Sequence, residues 1–364
     1  MRSLVPPNIE NLMPYIPGKP IEETERELGI SNIIKLASNE NSLGPSKKAI
    51  KAARKALQSV HLYPDANGFY LKEKLAKIHK VSPDQIVLGN GSNDIIDLMV
   101  RVFCIPGDEV ITSKMSFIMY YISSQAQNCV LKLIDMKNYR YDLDGIRSAI
   151  TEKTKIIFIA NPNNPTGTYL TKDELYTFIK SIPKDIVLGL DEAYYEYVVA
   201  EDYPFDTIKL IKKRPNTVVM RTFSKIYGLA GLRIGYGITD AKLADYINRV
   251  RQPFNTSSVA QAAAIAALSD KSHVRKSREM VREGMKYIEA ELKSLGFDVV
   301  PSQANFLLID LHRDATELYD KLLRKGVIVR PMKGFGIPNC IRVTIGTMEE
   351  NRRFISALKE SINE

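Results

Sequence analysis

Short apolar runs recur along this 364-residue chain, each followed by a polar or glycine-containing loop and then by a helical pattern. The runs at 33–37, 85–88, 109–113, 130–134, 156–160, 186–190 and 217–220 are too short for helices and read as buried strands. Between them, residues 47–60 carry alanine and leucine at helical spacing with a basic outer face, and residues 70–80 continue as a helix. Thr171 and Glu174 form a capping box that opens another. This alternation from about 31 to 255 predicts an α/β protein with a large, doubly wound, mostly parallel sheet. Residues 257–295 read as helical. Short strands at 305–310, 327–330 and 341–345, one helix at 315–325 and a final helix capped at Thr347–Glu350 predict a smaller α+β unit. The expected division is an N-terminal arm (1–30) packing with the small domain, a large domain (31–255) and a small C-terminal domain (256–364). The arm is proline-rich and then acidic, and Met13-Pro14-Tyr15-Ile16-Pro17-Gly18 reads as extended.

The composition, 45% hydrophobic and 26% charged, is that of a globular protein. The net charge is +9, but lysine and arginine are dispersed, without the basic run of a nucleic-acid arm. A diffuse positive field suits small anionic substrates. The three cysteines are far apart and odd in number, which gives neither a disulfide framework nor a zinc pattern and implies a reducing cytoplasm. The four histidines lack metal-ligand spacing, so no metal is expected. Residues 1–10 lack a signal-peptide core, and no apolar run approaches the ~20 residues of a membrane span.

The chemistry is concentrated in loops. Gly89-Asn90-Gly91-Ser92-Asn93 joins a strand to a helix and can offer N–H groups and a helix N-terminus to a phosphate. Such turns also occur without a ligand, and the third glycine of a dinucleotide fingerprint is missing. Two Asn-Pro steps in Asn161–Gly167 bar regular structure. Asp191-Glu192-Ala193-Tyr194 ends a buried strand, where open α/β sheets bind ligands; Asp191 could instead cap the following turn. The stretch from Arg221 to Tyr236 holds one lysine, Lys225, among hydroxyls and glycines. A desolvated lysine can attack a carbonyl, and Thr222, Ser224 and Arg233 can hold a phosphate. Aldehyde-seeking amine and phosphate donors together suggest pyridoxal phosphate (PLP); the other reading is a surface turn with a solvated lysine.

Taken in order from Pro14-Tyr15 to the last helix, these motifs resemble the fold-type-I PLP-dependent aminotransferases of class I and II. Asn161–Gly167 and Ser224-Lys225 with the following Gly-Leu-Ala-Gly-Leu-Arg carry the resemblance. Asn39-Glu40-Asn41, Gln303-Ala304-Asn305-Phe306 and Ile341-Arg342-Val343-Thr344 lean toward its histidinol-phosphate branch. The resemblance implies a Schiff base at Lys225, Asp191 on the ring nitrogen, and Asn164 and Tyr194 on the ring's phenolic oxygen. Gly91, Ser92, Asn93, Thr222, Ser224 and Arg233 would form the phosphate cup. Phe117 would stack on the ring where the family usually has tyrosine, and Asn93-Asp94 replaces the usual Asp-Glu pair. Tyr63 would reach the phosphate of a neighbouring subunit, which implies a homodimer with shared sites. Tyr15, Arg330 and Arg342 would read the substrate. Taken without the family, Tyr63 and Phe117 are candidate core residues, Asn305 a structural amide, and Arg330 and Arg342 members of ion pairs.

The expected reaction exchanges the amino group of histidinol phosphate with 2-oxoglutarate. Its rivals are an aromatic-amino-acid aminotransferase, a PLP decarboxylase resembling threonine-phosphate decarboxylase, and a non-catalytic PLP-fold binding protein. The last would usually lack the lysine or the aspartate, and both are present.

Overall fold

The computed structural model describes residues 3–363; Met1, Arg2 and Glu364, assigned above to the arm and the tail, lie outside the described residues. In chain order the first strands are β1 (Ile34–Lys35), β2 (Ile86–Gly89), β3 (Glu109–Ser113) and β4 (Val130–Ile134). They are followed by β5 (Thr154–Ala160), β6 (Val187–Asp191), β7 (Thr217–Thr222) and β8 (Gly235–Ile238). Strands β2 to β8 form one sheet in the order β2-β8-β7-β6-β5-β3-β4. Neighbours run parallel except at β8, which opposes both β2 and β7. The fold is the expected mostly parallel α/β sheet. The reversed strand was not legible, because Gly235-Tyr236-Gly237-Ile238 lacks the composition of a strand.

Helices cover both faces, which is why the strands read as continuous apolar runs. Ile157 and Ile159 of β5 join Leu71, Leu75, Leu188 and Leu190 on one side. Their neighbours Ile156 and Phe158 join Val87, Val218 and Met220 on the other, against Ile95, Ile96 and Met99 of the helix Ser92–Phe103. The period of two along the strand sorts these side chains between the two cores.

The tail adds β9 (Asp298–Val300), β10 (Phe306–Asp310), β11 (Val327–Ile328), β12 (Arg330–Pro331) and β13 (Cys340–Thr344). An antiparallel sheet runs β12-β13-β10-β9, while β11 pairs in parallel with β1. The expected strand at 327–330 is therefore two strands in two sheets. The expected helix at 257–295 is also two, Ser258–Leu268 and Lys271–Ser294, because the Asp270 side chain caps the second. Ala260, Ala263, Ala264 and Ala267 pack into the core of the large sheet, and Val281, Ile288 and Leu292 into that of the small one.

The arm is extended only in the middle. Short helices occupy Pro7–Glu10 and Ile21–Leu28, each entered through a proline, Pro6 or Pro20, whose fixed φ suits a helix start. Asn8 Nδ2 donates to the carbonyls of Gln125 and Ala126, which places the start of the arm on the helix Ile118–Ala126. Its later part lies on the tail, where Arg330 Nη2 donates to the Ile16 carbonyl at 2.5 Å. Among the described residues no helix is long and apolar enough to cross a membrane.

Candidate active site

Because β2, β3, β5, β6 and β7 are co-directional, the loops after all five open on one edge of the sheet. There they surround a cavity of about 270 Å³, closed from the other side by the tail and the arm. Ser92 and Asn93 follow β2, Phe117 follows β3, Asn164 follows β5, Asp191 ends β6 with Tyr194 just after it, and Thr222 ends β7 with Ser224 and Lys225 just after it. Arg233, which leads into the reversed β8, reaches the same edge. Tyr15, Arg330 and Arg342 also line it.

Lys225 is half-buried, and its Nζ donates to the Ser38 carbonyl at 3.1 Å. Burial, reinforced by Arg342, lowers its pKa to about 7, so much of the amine is neutral at neutral pH. Asp191 is 4% exposed. Burial pushes its pKa up to about 6, against two hydrogen bonds that favour the charged form: Tyr120 Oη to Oδ2 at 2.9 Å and Ala193 N–H to Oδ1 at 3.1 Å. The main-chain bond supports the turn-capping reading of Asp191 as well. No arginine or lysine forms an ion pair with this buried carboxylate among the described residues, which leaves it fitted to a cation brought by a ligand.

Asn164 Oδ1 accepts from Arg342 Nη1, so its amide N–H groups remain for another acceptor. Tyr194 lies edge-on to Phe306 and accepts from Asn39 Nδ2 at 2.8 Å. Burial raises its pKa to about 12 and keeps the hydroxyl a donor.

The residues expected to form the phosphate cup are brought together by close backbone approach. A Cβ on Gly91 (φ +79°) would come within 2.5 Å of Arg233 Nη2, and one on Gly235 within 2.5 Å of the Ser92 nitrogen. Glycine at both positions lets Arg233 and the N-terminus of the 12-residue helix Ser92–Phe103 converge. Arg233 Nη1 donates to Ser224 Oγ at 3.3 Å, and Thr222 Oγ1 accepts from the Ser224 N–H at 3.1 Å. Asp94 accepts from the Asn90 N–H at 2.9 Å and Asn255 Nδ2 at 2.7 Å, so the departure at this position braces the loop. An amine, an isolated carboxylate, an amide and a phenol free to donate, and a cationic cup together match the aldehyde, ring nitrogen, phenolic oxygen and phosphate of PLP.

On the substrate side, Arg330 and Arg342 stand directly opposite each other on β12 and β13. Like charges in register destabilise a strand pair, and an anion between them relieves that cost. Neither arginine belongs to an ion pair among the described residues, contrary to the reading taken without the family. Arg342 is 6% exposed, and its Nη2 donates to the Ala37 carbonyl at 2.7 Å; its Nε is buried without a partner. Desolvation lowers its pKa only to about 10, so it stays charged. The Arg330 guanidinium lies 5.9 Å from the centre of the Tyr15 ring. Tyr63 is outside this cavity and is not a core residue: it is 83% exposed, with its ring stacked on Phe254 at 4.6 Å.

The profile of the family described as Aminotransferase class I and II matches residues 31–358. The chain is a class I and II aminotransferase. It is 50% identical to a histidinol-phosphate aminotransferase of Anaeromyxobacter sp. (strain Fw109-5) over 357 residues, 98% of either chain. Histidinol-phosphate aminotransferase 2 of Pasteurella multocida (strain Pm70) is 48% identical over 358 residues, again 98% of each. The crystal structure of histidinol-phosphate aminotransferase from Sinorhizobium meliloti in complex with pyridoxal-5'-phosphate superposes with a TM-score of 0.89 at 28% identity. That likeness covers 100% of this chain and 98% of the other. Aspartate aminotransferase from Thermus thermophilus with maleate shares the fold, with a TM-score of 0.85 at 22% identity.

Sequence reasoning missed several residues that this aminotransferase uses to hold its site. Tyr120 is fully buried, stacked on Phe158 at 4.7 Å and bonded to Asp191. Its spacing of three from Phe117, at the start of a helix, was the available signal. Asn163 Oδ1 accepts from Ser116 and Tyr141, and its Nδ2 donates to the Met115 carbonyl, tying the loop after β5 to that after β3. Gln303 accepts from the N–H groups of Val199 and Ala200 and lies off the cavity, and Asn305 Nδ2 donates to the Asn39 carbonyl as a structural amide.

Proposed function

We propose that this aminotransferase transfers the amino group of histidinol phosphate to 2-oxoglutarate with pyridoxal phosphate as cofactor, yielding imidazole acetol phosphate and glutamate for histidine biosynthesis. The observation that carries the substrate is the match, along 98% of both chains, to relatives named histidinol-phosphate aminotransferase. The paired arginines support it, since they suit an anionic donor.

Bound pyridoxal phosphate supplies an aldehyde and a ring that draws electrons from the donor's α-carbon. Lys225 would anchor the aldehyde, and its Nζ, which lines the cavity, would be the base that takes up and returns the donor's α-proton. Asp191 would keep the ring nitrogen protonated, Asn164 and Tyr194 would donate to the phenolic oxygen, and Phe117 would pack against the ring. Gly91, Ser92, Asn93, Thr222, Ser224 and Arg233 hold the phosphate.

Histidinol phosphate carries a CH2–O–phosphate where glutamate carries an α-carboxylate. A planar guanidinium can hold either anion through two N–H donors, whereas an ammonium is a point charge. Arg342→Lys should therefore slow both half-reactions by roughly 10- to 100-fold, the size of one hydrogen bond between charged groups. Measuring kcat/KM for histidinol phosphate and for glutamate checks this; an unchanged glutamate half-reaction would contradict a shared anion site.

The active unit is a homodimer in which Tyr63 serves the partner's site. Its exposure, beside exposed Leu62, Phe69, Tyr70 and Phe254, supports this reading. Hybrids of Lys225→Ala and Tyr63→Phe subunits should regain activity in one of their two sites. Verified subunit exchange without any gain would assign Tyr63 to its own chain or to none. The proposed units are the arm 1–30, the large domain 31–255 and the small domain 256–364, with two exchanges at the borders. Strand β1 pairs with β11 of the tail, and the helix Ser258–Leu268 packs into the large core. A cytoplasmic location suits three unpaired cysteines.

A further inference from the structure

We infer that Asn39 is a positioning residue that orients the Tyr194 hydroxyl as a proton donor into the cavity. The inference rests on the assignment of Tyr194 to the cofactor's phenolic oxygen. The Asn39-Glu40-Asn41 motif stood out in the sequence without a role.

Asn39 is 1% exposed and sits in the left-handed region (φ +56°), where asparagine is among the few tolerated side chains. Its amide orientation follows from donor bookkeeping. The Asn39 N–H donates to Thr344 Oγ1 at 2.9 Å, and the one acceptor among the described residues for that hydroxyl's own proton is Asn39 Oδ1 at 3.3 Å. The Oδ1 end is thereby committed to Thr344. Nδ2 must face Tyr194 Oη, 2.8 Å away, and must donate to it. A hydroxyl has one proton, and no residue among those described accepts it from Tyr194. The proton therefore points into the cavity that Tyr194 lines.

The same short segment grips two further site residues. The Ala37 carbonyl accepts from Arg342 Nη2 at 2.7 Å, and the Ser38 carbonyl accepts from Lys225 Nζ at 3.1 Å. The segment is itself anchored in the tail, since the Leu36 N–H donates to the Ile328 carbonyl and its carbonyl accepts from the Thr344 N–H.

Asn39→Asp tests the inference with little change of shape. Aspartate tolerates the left-handed backbone and keeps the acceptor for Thr344, but presents an oxygen to Tyr194. The hydroxyl must then turn its proton to the carboxylate and away from the cavity. The readout is the pH midpoint of the bound cofactor's absorbance change, together with the PLP dissociation constant and Tm. A donor to the phenolic oxygen stabilises its negative charge, which weakens that oxygen's hold on the neighbouring imine proton. Losing the donor should raise the midpoint by about one pH unit or more, the equivalent of one hydrogen bond to a charged oxygen. Tyr194→Phe should raise it similarly. In the Tyr194→Phe background, Asn39→Asp should add much less, because both act through one hydroxyl. A full additional rise in that background would mean that the new charge acts directly and would overturn the inference. A shift for Tyr194→Phe with none for Asn39→Asp would overturn it while leaving the site assignment intact. No shift for Tyr194→Phe would sink both.

Discussion

Lys225→Ala should lower transamination by on the order of 10⁴-fold, because one substitution removes both the covalent anchor and the proton carrier. The variant should fold, since the Nζ makes one hydrogen bond to protein, to the Ser38 carbonyl, and alanine leaves a space continuous with the cavity. Borohydride treatment of the loaded wild type, followed by peptide mapping, should mark Lys225 and no other lysine. The amine also predicts a pH profile. Burial brings it from 10.5 to about 7, and the neutral form is the nucleophile. The rate at which the empty protein captures the cofactor's aldehyde should rise as the pH passes 7 and then level off. A rise continuing toward pH 10 would mean that the pocket does not depress this lysine.

Asp191→Asn should retain the cofactor and lose about 100-fold or more in turnover, the usual cost of removing one electrostatic stabiliser from a dry site. The amide can occupy the same volume, accepting from the Ala193 N–H through Oδ1 while its Nδ2 donates to Tyr120 Oη in reversal of the bond to the carboxylate. It cannot hold a proton on the ring nitrogen. Linkage gives the sign of the companion effect in the empty protein. A carboxyl raised from 3.8 to about 6 by burial favours the folded state when protonated, and that contribution is lost as pH rises through the interval between those values. The wild type should thus lose stability relative to Asp191→Asn between about pH 4 and 6 in the absence of cofactor, measurable by urea unfolding. Near wild-type turnover of loaded Asp191→Asn would remove the aspartate from the chemistry.

The parts of the site that were legible in the sequence lie where a short apolar strand stops and a loop begins. Asp191 ends β6, and Lys225 follows β7 by three residues. A parallel sheet aligns such ends by its geometry, which gathers Ser92, Phe117, Asn164, Asp191 and Lys225 in one place, although the sites of Phe117 and Asn164 were implied by the family resemblance alone. Pairings between distant segments were not legible. No local pattern shows that Asn39 meets Thr344, that Arg330 opposes Arg342, or that β1 joins β11. Period counting also failed where single residues break an element, as at Asp270 between two helices and within 327–331, where one expected strand serves two sheets. Tyr120 was hidden for another reason: in a buried helix a tyrosine reads as core, and it is core, yet its hydroxyl holds the carboxylate of the site.

In the proposed reaction this chain deaminates histidinol phosphate on cofactor anchored to Lys225. Its most direct test is a single half-reaction of loaded wild type with histidinol phosphate, without 2-oxoglutarate. Imidazole acetol phosphate should form stoichiometrically with bound cofactor, with a matching loss of the cofactor's aldehyde absorbance and its recovery when 2-oxoglutarate is added. An inert response to histidinol phosphate while phenylalanine reacts would contradict it.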